Sequence, residues 1–295
     1  SGNISGVTTL TLADVGGTAT LSGDVDVTTL TVGNTVANVA FTGNGSSVAS
    51  SFTPNNDGTF IFGASGGTQT YNGGLTTTSV GGTVTLNGTI ATSDDAVVLG
   101  AVTLGSATTI DTNSTTTNRA DITLAAITGG NNTLTLTTEN NVTGSDVTAS
   151  GAISGVTTLT LASVGGTATL SGDVDVTTLT VGNTVLNLAF TGNGSTVTNS
   201  FTPDNDGTLT LGASGGTQTF NGGLNTASTD GTVTLNGSLV TSNDALTVGA
   251  VTLGSNTTLT SAGGAIVTGA IIGTSSEDLT ITSSGGGTNT VVTNG

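Results

Sequence analysis

Phe60-Ile61-Phe62 and Leu209-Thr210-Leu211 are the same three positions in two copies of one unit, and the way they differ decides the fold. The outer two residues stay large and apolar while the middle one changes from Ile to Thr. Val97-Val98-Leu99 against Leu246-Thr247-Val248 obeys the same rule. Side chains of a strand alternate between its two faces. Phe60, Phe62, Val97 and Leu99 are therefore expected to point into a core, and Ile61 and Val98 outward. Ala37, Val39 and Phe41 become Leu186, Leu188 and Phe190, and read as one more inward-facing set.

The copies are long. Ser5-Gly6-Val7-Thr8-Thr9-Leu10-Thr11-Leu12 returns as Ser154-Gly155-Val156-Thr157-Thr158-Leu159-Thr160-Leu161, an offset of 154 − 5 = 149. The match runs without a gap to Leu104-Gly105-Ser106 against Leu253-Gly254-Ser255, with about 80 identities in 102 positions. This predicts two units, residues 1–153 and 154–295, continuous with one another. A shorter period lies inside: Val7-Thr8-Thr9-Leu10-Thr11-Leu12 recurs 20 residues later as Val27-Thr28-Thr29-Leu30-Thr31-Val32. Short Thr-apolar-Thr-apolar runs, broken by Gly-Gly, Asn-Gly and Asp-Gly, are strands and turns. One coil of a parallel β-helix needs about 20 residues, and such coils share one core by stacking. The expected fold is all-β, a parallel β-solenoid with about seven coils per unit. Thr, β-branched, suits a strand with a wet face. The segment Ser51-Phe52-Thr53-Pro54-Asn55-Asn56-Asp57-Gly58 and its twin at residues 200–207 hold the only two prolines, Pro54 and Pro203. Because Pro cannot donate to a ladder, both are expected in a loop off the stack.

Composition removes many functions. The 295 residues carry 1 Lys or Arg against 18 Asp or Glu, a net charge of −17. That leaves no cationic surface for nucleic acid or anionic membranes. There is no His or Cys, so zinc sites, thiol chemistry and the usual general base are absent. No run of 18 apolar residues exists to span a bilayer as a helix. The chain opens Ser1-Gly2-Asn3 with no Met or basic leader, and reads as a piece of something longer.

Gly82-Thr83-Val84-Thr85-Leu86-Asn87-Gly88, Gly100-Ala101-Val102-Thr103-Leu104-Gly105-Ser106 and Asn132-Thr133-Leu134-Thr135-Leu136 resemble the strand repeats of large bacterial surface proteins. These are filamentous haemagglutinin-like adhesins and autotransporter passengers. The resemblance implies a right-handed parallel β-helix, an extracellular, cell-surface location, and a stalk or adhesive role.

Few residues suggest chemistry. Asp204-Asn205-Asp206-Gly207 resembles the start of a calcium loop, and its first-copy twin is Asn55-Asn56-Asp57-Gly58. An Asp/Asn turn is the plain alternative. Asp24 with Asp26, and Asp173 with Asp175, sit two apart on one strand face and are further calcium candidates or exposed charges that limit sideways aggregation. Calcium is the one cofactor suggested. Asp94 and Asp95 raise glycoside hydrolysis, but their counterparts are Asn243 and Asp244, so no enzyme is expected. Arg119, the sole cation, is expected to pair with Asp121 or with a neighbouring coil. Phe60, Phe62, Tyr71 and Phe220 read as core stacks. Nine Asn-X-Ser/Thr triplets, among them Asn44-Gly45-Ser46, Asn87-Gly88-Thr89, Asn113-Ser114-Thr115, Asn193-Gly194-Ser195 and Asn256-Thr257-Thr258, are glycan acceptors by pattern.

The expected function is a structural segment of an extracellular fibre, stalk or adhesin. Its partners would be other copies end to end, flanking repeats, or glycans of a host or neighbouring cell. An ice-binding solenoid, built on rows such as Thr9/Thr11 and Thr29/Thr31, is the alternative, and an S-layer lattice a third.

Overall fold

The computed structural model describes residues 2–112, 119–139, 144–285 and 290–293; Asn113-Ser114-Thr115 lies outside them. The described residues contain no helix and wind through about 13 turns of a parallel β-solenoid, with successive coils roughly 21 residues apart.

Each coil has three faces. Strand Val84–Ala91 alternates buried and half-buried along its length. Gly88, at φ 66°, turns it from the first face, carrying Val84, to the second, carrying Ile90. A Cβ on Gly88 would fall 2.4 Å from the Gly67 carbonyl oxygen, so only Gly turns here. Strand Val97–Leu99 forms the third face, and Val102–Asp111 returns to the first and second. Rows then run up the rod. The first face stacks Ala19, Val39, Phe60, Val84, Val102, Ile127, Ile153 and Val174. The third stacks Leu75, Val97, Ile122, Val147, Ala168, Leu188, Leu209, Val233, Val251 and Ile271. Each strand's amides pair with the coils on either side, so no coil is stable alone and all share one core.

The expected alternation holds where it was read most sharply. Phe60, Phe62, Val97 and Leu99 are buried, and Ile61 and Val98 face outward. It fails at one corner: Leu186 is 37% exposed and Ala37 half-buried, while the preceding Val185 and Val36 are buried. The chain bends between Val36 and Val39, so two inward residues stand three apart there. The prolines also correct the reading. Along residues 51–56 exposure alternates outward, inward, and Phe52, Pro54 and Asn56 all turn in; Phe201, Pro203 and Asn205 repeat this. Pro54 lies in an extended stretch outside the ladder, where a missing N–H costs nothing, and its ring fills the core. The neighbouring Asn55 N–H still reaches the Val32 carbonyl at 3.1 Å.

The spare residues widen whole coils instead. Steps along a row vary from 18 residues (Val84 to Val102) to 26 (Thr108 to Leu134). As a result a unit falls a third of a turn short of seven coils. Six turns from Val84 on the first face lead through Val102, Ile127, Ile153 and Val174 to Gln218. Val233, the counterpart of Val84, stands two faces further on, in the third-face row. The 149-residue unit therefore spans six and two-thirds turns. Its second copy is displaced by one face relative to the first.

Candidate functional site

A polar device recurs at the corners. Where the chain enters a strand, a backbone N–H points down the rod with no ladder partner. A short side chain of the coil below accepts it. The Asp24 carboxylate accepts from Gly45 N–H at 2.8 Å, and Asp173 from Gly194 N–H at the same distance. The Asp24 N–H in turn donates to the Asn3 side-chain oxygen at 3.0 Å. Asn38 and Asn187 accept from Thr59 and Thr208, Asp121 from Asp146, Asp146 from Thr167, and Asn256 from Asp278. Each spacing is one coil, so each cap ties two coils together.

This gives two calcium candidates, Asp24 and Asp173, a backbone partner; Asp26 and Asp175 are exposed beside them. Asp204 and Asp206 are also exposed and share the outer side of their coil, while Asn205 between them is fully buried. The Asn205 amide donates to the Gly207 and Thr208 carbonyls at 3.1 and 3.0 Å. Asn56 does the same beside exposed Asp57. The segment is thus an alternating wall of the coil whose middle side chain closes a turn from inside. Among the described residues no three His, Cys, Asp or Glu side chains gather as a metal-holding group. Arg119 is exposed and its guanidinium lies over the backbone of Gly144. Gly144 belongs to the neighbouring coil, the other partner expected for Arg119, and the Asp121 carboxylate accepts the Asp146 N–H at 2.9 Å.

All eight aromatic rings are in the core. Phe60 and Phe62 stack at 4.0 Å between centroids, and Phe52 stacks on Tyr71 at 5.7 Å. In the second copy Phe201 stacks on Phe220 at 5.6 Å. No ring is left on the surface to carry a sugar. Two open hollows lie near the two ends. One, of about 440 Å³, is lined by Gly6, Val7, Thr8, Asp26 and Thr28; the other, of about 400 Å³, by Asp230, Thr232, Thr252 and Ile272.

Comparison with protein-family models, with curated proteins and with solved structures found no match.

Sequence reading missed two groups. One is Gln69 and Gln218, the only glutamines in the chain. Both are buried, donating to the Phe41 and Phe190 carbonyls at 2.7 and 2.8 Å. Their rarity in a Thr-rich strand was the available signal. The other is the apolar set at the two ends, which no local pattern distinguishes from core.

Proposed function

We propose that this chain is a mechanical segment of an extracellular fibre, stalk or surface adhesin. The observation that carries this reading is one uninterrupted core running through about 13 turns, under a coat of Thr, Ser, Asn and Gly. At about 4.8 Å per coil that is a rod of roughly 60 Å. Its chemistry is spent on coil-to-coil ties, with every aromatic ring inside. A single Arg and no Lys leave trypsin-like proteases almost nothing to cut, which suits an exposed location.

The displacement of the two units favours the rod over an ice-binding plane. Thr9/Thr29 and Thr11/Thr31 do align on adjacent coils. However, Thr20 stands in the first-face row and its counterpart Thr169 in the third-face row. A flat array of one sequence is thereby turned aside at each unit.

Small-angle scattering of the purified chain, with immunogold labelling of intact source cells, tests the reading. The expected result is a rod-shaped profile and label outside the cell. A globular profile or label confined to the cytoplasm would overturn it, and measured thermal hysteresis would promote the ice-binding alternative.

A further inference from the structure

The first and last described coils are the two halves of a joint that the molecule already contains in its middle. In that middle joint the second unit's first coil, Ile153–Leu170, lies on residues 127–139 and 147–149. Ile153 pairs with Ile127, Leu159 with Leu134, Leu161 with Leu136, and Ala168 with Val147. All eight side chains are at most 1% exposed.

The upper half of this joint recurs at the start of the chain. Ile4, Leu10, Leu12 and Ala19 are the sequence counterparts of Ile153, Leu159, Leu161 and Ala168, and all four are only half-buried. The lower half recurs at the other end, which the row register shows although the sequence match there is loose. Val102 pairs with Ile127, and its counterpart Val251 pairs with Ile271. Thr109 pairs with Thr135, and its counterpart Thr258 with Thr280. Val97 leads through Ile122 to Val147, and its counterpart Leu246 through Ile266 to Val291. So Ile271, Leu279, Ile281 and Val291 are the equivalents of Ile127, Leu134, Leu136 and Val147. Leu279 is 37% and Val291 48% exposed, against 0% for Leu134 and Val147.

We propose that the first coil of one copy of this chain docks on the last coil of a second copy. In that joint Ile4 is set on Ile271, Leu10 on Leu279, Leu12 on Ile281 and Ala19 on Val291. The contact is parallel β-augmentation, with main-chain hydrogen bonds supplying affinity and the apolar row fixing register. It is head-to-tail, so it propagates into a filament and closes no ring. Ile4 belongs to the second-face row of its own copy, through Val25 and the strand pairings above it. Ile271 belongs to the third. Each copy is therefore turned by one face relative to the last, and the six-and-two-thirds-turn repeat continues unbroken across the joint. The proposal rests on the rod reading above and names its partner.

The chain has no Cys, so a double variant reports the joint against a silent background. Thr11 and Thr280 are the outward counterparts of the paired Thr160 and Thr135. The Thr11→Cys/Thr280→Cys chain, oxidised at concentrations where sedimentation shows assembly, is expected to give a ladder of disulfide-linked multimers. Thr11→Cys/Thr282→Cys, displaced by two residues or about 7 Å along the strand, should give at least about tenfold less, because a disulfide needs Cα atoms within about 7 Å. Leu10→Asp and Leu279→Asp should each abolish assembly while leaving the circular dichroism of the monomer unchanged. A chain that stays monomeric at millimolar concentration with no ladder, or equal ladders from the two Cys pairs, would overturn the joint. Scattering from that monomer would still report a rod, so failure of the joint and failure of the rod are distinguishable.

Discussion

Residues 4–21 and Ile153–Leu170 differ at one position, Asp14 against Ser163, yet they live in different surroundings. In the second copy Ile153, Leu159, Leu161, Val164 and Leu170 are fully buried. In the first, Ile4, Leu10, Leu12, Val15 and Leu21 are only partly covered, because among the described residues no coil lies beneath them. The second copy runs as one unbroken strand of 18 residues, whereas the first is split into Ile4–Leu12 and Thr18–Leu21. In a solenoid, burial is thus a property of position in the stack and not of sequence. The same Leu is core at one address and a waiting edge at another.

The sharpest way to break this comparison is to put one charge at both addresses. Leu159→Asp buries an unpaired carboxylate in the middle of the stack and should cost more than about 4 kcal/mol, read as a collapse of the urea midpoint. Leu10→Asp should cost less than about 1 kcal/mol, since its carboxylate keeps water. Equal losses would mean that the first coil is as enclosed as the second.

A second comparison lies deeper in the two units. Gln69 receives a 2.7 Å hydrogen bond on its side-chain oxygen from the Tyr71 hydroxyl, with both groups buried. Phe220 takes the place of Tyr71 in the second unit, and the Gln218 side-chain oxygen is left buried without a partner. Tyr71→Phe should therefore destabilise by about 1–3 kcal/mol, and Phe220→Tyr should stabilise by about 1 kcal/mol, both read by denaturant titration. Burial also pushes the Tyr71 phenol well above its ordinary value. A group raised on folding stabilises below its unfolded pKa and loses that contribution as pH rises. Stability should accordingly fall above about pH 10, and the Tyr71→Phe chain should lack that part of the fall.

The corner caps invite a smaller test. Asp24→Ala and Asp173→Ala each remove a carboxylate from a backbone N–H at 2.8 Å. Each should cost about 1 kcal/mol, and alike, since the cap is local and both corners are inside the stack. The smallest effect concerns Glu277. Its exposed carboxylate accepts from the Ser275 N–H at 2.8 Å and from the Thr274 hydroxyl at 2.6 Å, and is held at about 2. Its contribution is present above the ordinary carboxylate range and fades as pH falls toward 2, which a side-chain NMR titration would follow directly.

Much of this fold was legible because the two copies act as an internal mutation series. Phe60-Ile61-Phe62 against Leu209-Thr210-Leu211 shows which residues may change, and those are the outward ones. Legibility ended where geometry depends on accumulated register. Pro54 was misplaced because its missing donor was weighed and its ring, which fills core, was not. Leu186 was misplaced because period two stops at a corner. The one-face displacement was invisible because it arises from coils of 18 to 26 residues summing to a fraction of a turn. Of the candidate site residues, Asp24 and Asp173 were found for their charge, but their hydrogen bonds to Gly45 and Gly194 reach one coil along the axis. No linear motif records such a contact.

Spin-label distances test the displacement most directly. Thr89, Thr109, Thr135, Thr160 and Thr180 form one outward row of the second face, so labels at Thr89 and Thr180 should lie four rungs apart, about 19 Å. Were the unit a whole number of turns, Thr180 would instead stand above its own counterpart Thr31, in the row of Val98 and Thr123. The expected result is that the Thr89/Thr180 pair is clearly closer than Val98/Thr180. The reverse order would contradict a repeat of six and two-thirds turns.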